Sequence, residues 1–112
     1  MTTKILNPRE PKKGFSRKFL VDSGAVYSVV DKKILEGLKI KPSYKREFIL
    51  ANGQTIKKEV GEAMFEIDKE RATSPVVFGD EGVFLLGAVT LETFGYVLDP
   101  VNRKLRGLPM LI

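Results

Sequence analysis

The chain has 112 residues, 43% hydrophobic and 29% charged, which suits one small hydrophobic core and is too apolar for disorder. It contains no cysteine and no histidine, which excludes disulfides, thiol nucleophiles, Cys/His zinc sites and any Ser-His-Asp triad. The formal net charge is +5, and residues 1–20 account for it with six basic side chains against Glu10 alone; with no stacking aromatics or groove-entering helix beside them, a solvated loop is expected rather than a nucleic-acid surface.

No apolar run approaches membrane-spanning length, and Met1-Thr2-Thr3-Lys4 has no signal-peptide core, so a cytoplasmic setting without membrane contact is expected. Short apolar segments between frequent turn signals predict an all-β fold. Lys4-Ile5-Leu6 reads as a strand ended by Asn7-Pro8, Pro11-Lys12-Lys13-Gly14 as a turn, and Phe15 to Val21 as a strand leading to Asp22. Val26 to Val30 reads as the strand that leaves this acidic turn. Asp31 is a candidate N-cap for a short helix through Ile34, Leu35 and Leu38, with Gly37 able to end it. Phe48 to Ala51 and Gln54 to Ile56 flank Asn52-Gly53, a strong hairpin signal. Lys57-Lys58-Glu59 then reads as a solvated hairpin face.

From Glu62 to Asp68 the residues Ala63, Phe65 and Ile67 alternate with Glu62, Met64, Glu66 and Asp68, the pattern of a strand with one buried face. Val76-Val77-Phe78 is the next strand, and Asp80-Glu81-Gly82 turns the chain; nothing like an EF-hand loop surrounds those acids, so no metal is expected there. Val83 to Leu86 reads as a fully apolar strand. Ala88 to Phe94 reads as a two-turn helix closed by Gly95. Tyr96-Val97-Leu98, an Asp99-Pro100 turn, Arg103 to Leu105 and the apolar run Met110-Leu111-Ile112 complete the chain.

The most informative stretch is Asp22-Ser23-Gly24-Ala25. An aspartate at the tip of a buried strand, with a small hydroxyl residue and a glycine behind it, is a poised carboxylate whose neighbouring amides can approach unhindered. The bland alternative is an ordinary Asx turn between strands. Four features stand around it in order: the apolar lead-in Phe19-Leu20-Val21, Ala25 itself, the Asn52-Gly53 hairpin, and Leu85-Leu86-Gly87 before a short helix.

In this order the residues resemble the retropepsin-like, single-domain aspartic proteases, over nearly the whole chain from Phe15 to Ile112. Asp22-Ser23-Gly24-Ala25 matches the catalytic loop, Asn52-Gly53 falls at the flap, and Leu85-Leu86-Gly87 matches the apolar-apolar-Gly element beneath the loop. The run from Leu85 to Glu92 through Asp99-Pro100 looks most like the bacterial and archaeal branch. The resemblance implies one domain over 1–112, an all-β half-barrel with one or two short helices, assembled as a two-fold homodimer. It implies a catalytic Asp22 from each subunit, Ser23 and Gly24 holding loop and substrate, and an extended peptide or protein substrate. Met110, Leu111 and Ile112 would form the dimer interface, and no metal or cofactor is required. Tyr27 is either a packing residue or the lining of a substrate subsite.

Retroviral members usually carry an acid directly after the catalytic loop and an arginine directly after the apolar-apolar-Gly element. Val26 and Ala88 replace both here, so no charge is stranded, and an apolar contact can stand in for the ion pair. A retropepsin-like domain that binds peptides or dimerises with little turnover remains the alternative function, because a fold does not secure an activity.

Overall fold

The computed structural model describes residues 1–99 and 104–107. The chain opens with β1 (Thr2–Asn7), β2 (Glu10–Lys18), β3 (Leu20–Val21) and β4 (Ser28–Asp31), followed by α1 (Lys32–Gly37). Next come β5 (Tyr44–Ile49), β6 (Thr55–Ile67), β7 (Glu70–Gly79) and β8 (Phe84–Leu86), then α2 (Ala88–Thr93), β9 (Tyr96–Asp99) and β10 (Lys104–Gly107). Neither helix is long and apolar enough to cross a membrane. The implied interface run Met110-Leu111-Ile112 and the Pro100 half of the Asp99-Pro100 turn lie outside the described residues.

The main sheet runs β2-β1-β6-β7-β4-β8-β3, with β5 paired to β6 beside it. Strand β6 alternates as its sequence requires: Ala63, Phe65 and Ile67 are buried, and the residues between them are exposed or half-buried. These three join Ile5, Phe19, Val30, Leu35, Val76, Phe78, Phe84, Leu86 and Leu91 in one core. Phe84 is stacked on Phe15 at 5.6 Å and edge-on to Phe19 at 5.5 Å. This is the mostly-β half-barrel with two short helices that the resemblance implied.

Two local readings change. The first turn falls at Pro8-Arg9, and Pro11 to Gly14 belongs to β2. The β1–β2 register jumps from Asn7↔Glu10 to Leu6↔Gly14, which leaves Pro11, Lys12 and Lys13 bulged out of the ladder. An edge strand tolerates this, because a proline there withholds no hydrogen bond from a neighbour. At the hairpin, Leu50 accepts from the Gly53 amide at 2.9 Å, and its own amide donates to Gln54 O at 2.7 Å. Ala51 and Asn52 therefore form the turn, and only Gly53 takes positive φ, at 86°. The loop is longer than a two-residue Asn-Gly turn and ends in a glycine bulge.

Asp31 caps α1 as its sequence suggests, and it also binds a second segment. Its Oδ1 accepts from the Lys33 amide at 2.8 Å and its Oδ2 from the Gly82 amide at 2.9 Å. The Gly82 hydrogen bond is the main reason its carboxyl is held below the ordinary 3.8, with partial burial opposing it. A lowered folded-state pKa gives stability that is complete above the unfolded value and is lost as pH falls through the folded one. Asp31→Asn should therefore be less stable than wild type near neutrality, and the gap should narrow between about pH 5 and about pH 2. Urea midpoints for both proteins across that range provide the check.

Candidate active site

Strand β8 lies between the two strands joined by the acidic turn. It pairs parallel with β3 (Leu20↔Leu85, Val21↔Leu86) and antiparallel with β4 (Val29↔Leu85, Val30↔Phe84). The segment from Asp22 to Tyr27 must therefore bridge over the end of β8. The Asp22 amide donates to Leu86 O at 3.0 Å, which anchors the start of the bridge. Beyond it, the Ala88 and Val89 amides donate to Ala25 O at 2.7 Å and Val26 O at 3.0 Å. These first-turn amides of α2 have no partner inside the helix, and the loop supplies one to each.

This approach requires a glycine at 87. A Cβ there would lie 2.5 Å from both the carbonyl carbon and oxygen of Tyr27, and 2.9 Å from Ala25 O. Leu85-Leu86-Gly87 is thus the element beneath the loop, with Leu86 and Gly87 buried and Leu85 half-buried.

Within the loop, the Gly24 amide donates to Asp22 Oδ1 at 2.9 Å, and the Ala25 amide to Asp22 O at 3.2 Å. One carboxylate oxygen is oriented by its own turn while the side chain stays exposed. Gly24 fits this role closely, since a Cβ there would lie 3.1 Å from Asp22 Oδ1. The Ser23 hydroxyl is exposed beside it.

A cavity of about 590 Å³ opens directly after the acid. Gly24, Ala25 and Tyr27 form its loop side, Val29, Val77 and Val83 its floor, and Phe48, Ile49 and Ile56 of the β5–β6 hairpin its cover. Asn52 and Gly53 form the hairpin tip beyond this lining. Tyr27 lines the cavity and meets Phe48 edge-on at 6.1 Å. Its hydroxyl accepts from Arg46 Nη1 at 3.2 Å, so the hairpin is latched to the loop it covers. The walls are mainly apolar, with Glu47, Lys58 and Asp80 as the charged groups.

Several of these residues escape a reading by motif. Lys58, expected on a solvated face, is half-buried, lines the cavity and pairs with Asp80 at 3.2 Å. Behind the loop, Thr90 Oγ1 bonds the Ser28 hydroxyl at 2.5 Å and the Ser74 hydroxyl at 2.8 Å, while Ser28 Oγ accepts from the Gly87 amide at 3.0 Å. All three hydroxyls are buried and satisfied. Ser74 and Thr90 look like ordinary strand and helix residues in sequence; only tertiary pairing brings Thr90 to Ser28 and Ser74 to Thr90. Among the described residues, no three of His, Cys, Asp and Glu gather where a metal ion could be held.

The Gly87 contact gives a direct test. Gly87→Ala forces the loop or α2 to move, and overpacking of this kind costs about 1–3 kcal/mol. Chemical denaturation should show a loss of that size, whereas Gly37→Ala, with open space around its Cβ position, should show none.

An aspartyl protease family model matches residues 13–90 of this chain. No curated protein matches it. Among solved structures it is similar to the simian foamy virus (mac) protease in solution, at 20% identity over 82% of this chain and 90% of that one, with a TM-score of 0.61. It is similar also to the EIAV protease complexed with the inhibitor HBY-793, at 19% identity over 85% of this chain and 88% of that one, with a TM-score of 0.59. At such identities these two likenesses speak for the fold alone. The family match spans well over half of the sequence and contains the Asp22 loop, the hairpin and the element beneath the loop, so the chain belongs to the aspartyl protease family, with a retropepsin-like fold.

Proposed function

We propose that this protein is an aspartic endopeptidase, active as a homodimer, that cuts extended polypeptide segments with one Asp22 from each subunit. The observation that carries this reading is the exposed Asp22 carboxylate, oriented by the Gly24 amide, in a loop whose next residues, Gly24 to Tyr27, line a largely apolar cavity under a hairpin. Two such carboxylates facing each other about 3 Å apart cannot both ionise cheaply, so the pair shares one proton. The ionised member takes a proton from a water held between them, and that water attacks the scissile carbonyl. The protonated member donates to the carbonyl oxygen, and a proton then passes to the leaving amine. Ser23 hydrogen-bonds across the axis, and the hairpin covers the peptide and excludes bulk water.

The dimer supplies the second acid that one chain lacks. The exposed apolar side chains fit this assembly: Val26 in the loop is 63% exposed and Ile49 near the hairpin tip 79%. A second copy would cover both, with Met110, Leu111 and Ile112 contributing to the interface. The run from Leu85 to Glu92 through Asp99-Pro100 is the feature that favours the bacterial and archaeal branch. A single domain over 1–112 and a cytoplasmic setting complete the proposal.

Asp22→Asn keeps the shape of the side chain and removes the acid. It should leave the fold and the dimer intact and lower the cleavage rate of an unstructured polypeptide by at least about 10²–10⁴. Retained cleavage would remove Asp22 from the mechanism, and no cleavage by wild type would favour a binding domain. Specific activity should also fall on dilution, in step with dissociation followed by sedimentation. Deletion of residues 109–112 should shift both curves to higher protein concentration.

A further inference from the structure

Beyond the cleft, further depressions adjoin one another through shared bordering residues and together outline a furrow. Lys58, Gly79 and Asp80 border both the cleft and the next depression, which extends past Lys45 and Lys57. Lys32, Glu59 and Phe78 carry it into a third depression beside Ile40 and Pro42. Lys39 and Lys41 carry it on to Arg9, and Lys39 also borders the depression at the β2 bulge with Lys12 and Lys13.

Charge along this path is positive on balance. Outward from Lys58 the lining holds nine basic side chains against five acidic ones, Asp80, Glu59, Glu36, Glu62 and Glu10. Two of those acids are already engaged, Glu59 by Lys32 and Asp80 by Lys58, each at 3.2 Å. An excess of four positive charges thus lies along one furrow, in a chain whose formal total is +5. Folding creates this concentration, because Lys39 and Lys41 are thirty residues from the basic N-terminal segment they join.

We infer that the furrow is a substrate-docking track, selecting polypeptides that carry an acidic, extended segment next to the bond to be cut. The inference rests on the proposed protease function and adds a substrate class to it. A furrow that opens from the cleft is placed to receive the chain running out of it, and its charge is complementary to Asp and Glu side chains. Two-fold symmetry would give one furrow at each end of the cleft, so the acidic segment can flank either side. Nucleic acid fits less well: Phe78, the aromatic that lines the furrow, is 4% exposed and offers no stacking face. At about 3.3 Å per residue, roughly twelve extended residues span the longest dimension of 40 Å, so a flank of about eight is a suitable probe.

The test compares two unstructured polypeptides with the same cleavage site, one flanked by about eight Asp and Glu residues and one by Ser and Gln. At low salt the acidic one should have a KM about tenfold lower, and the difference should vanish near 1 M salt. Lys39→Gln/Lys41→Gln should move the ratio of the two kcat/KM values toward one. Fluorescence anisotropy of the labelled acidic flank alone should show salt-sensitive binding that the same variant weakens, a readout that does not depend on turnover. Equal KM values, or a ratio indifferent to salt and to the variant, would overturn the docking track even with cleavage intact. Single-stranded DNA that displaces the acidic flank at equal charge concentration would overturn the polypeptide assignment. If neither polypeptide is cleaved, the protease reading fails, and anisotropy alone decides whether the furrow binds acidic chains.

Discussion

Gly87 passes under Ala25 and Tyr27 so closely that a single methyl group would collide with their backbone, and the Asp22 loop takes its shape from that crossing. Because β8 is clamped between β3 and β4, the loop joining those two strands has nowhere to go but over its end. The turn at Asp22 is then held from below by the Leu86 carbonyl and the α2 amides. Backbone groups make these bonds, so the loop is fixed from beneath. The geometry also relieves a general difficulty of short helices, whose first amides are otherwise unpaired.

The polar groups behind the loop depend on the same crossing. Ser28, Ser74 and Thr90 would be a liability in an apolar interior if any hydroxyl lacked a partner. Here each is bonded, and the network ends on the Gly87 amide. It ties β4, β7 and α2 together at the point where Gly87 meets the loop. Asp31 does the same at the far end of β4, joining α1 to the Gly82 turn through backbone amides. Strand β4 is therefore fixed at both ends by polar bonds and in the middle by burial of Val30.

On the other side of the loop the surface is built for contact. The cavity is apolar and covered by a hairpin that reaches the loop through Arg46, Tyr27 and Phe48. The hairpin's outer residues, Ile49 above all, remain exposed, which suits a surface completed by another chain. The charged groups of the cavity lining are Glu47, Lys58 and Asp80, and beyond Lys58 the surface is basic on balance.

The Asp22 loop and the hairpin could be read from sequence because each is a local requirement, a turn that demands particular residues at fixed spacing, and Leu85-Leu86-Gly87 could be placed by its resemblance to a known element. The burial of Ala63, Phe65 and Ile67 was equally plain, since alternation is the direct imprint of a one-faced strand. The β2 bulge was misread because proline and glycine mark turns in general, and only the sheet order reveals that this strand lies at an edge where they are tolerated. Lys58, Ser74 and Thr90 carried no signal, because their partners are distant in sequence: Asp80 for Lys58, Thr90 for Ser74 and Ser28 for Thr90. The charge excess likewise looked like a property of residues 1–20, until folding set Lys39 and Lys41 beside it. Sequence alone determined where the acid and its glycine sit, where the hairpin turns and which face of β6 is apolar. The tertiary structure decided which side chains meet, since pairing across 16 to 62 residues depends on strand order and register that no local pattern encodes.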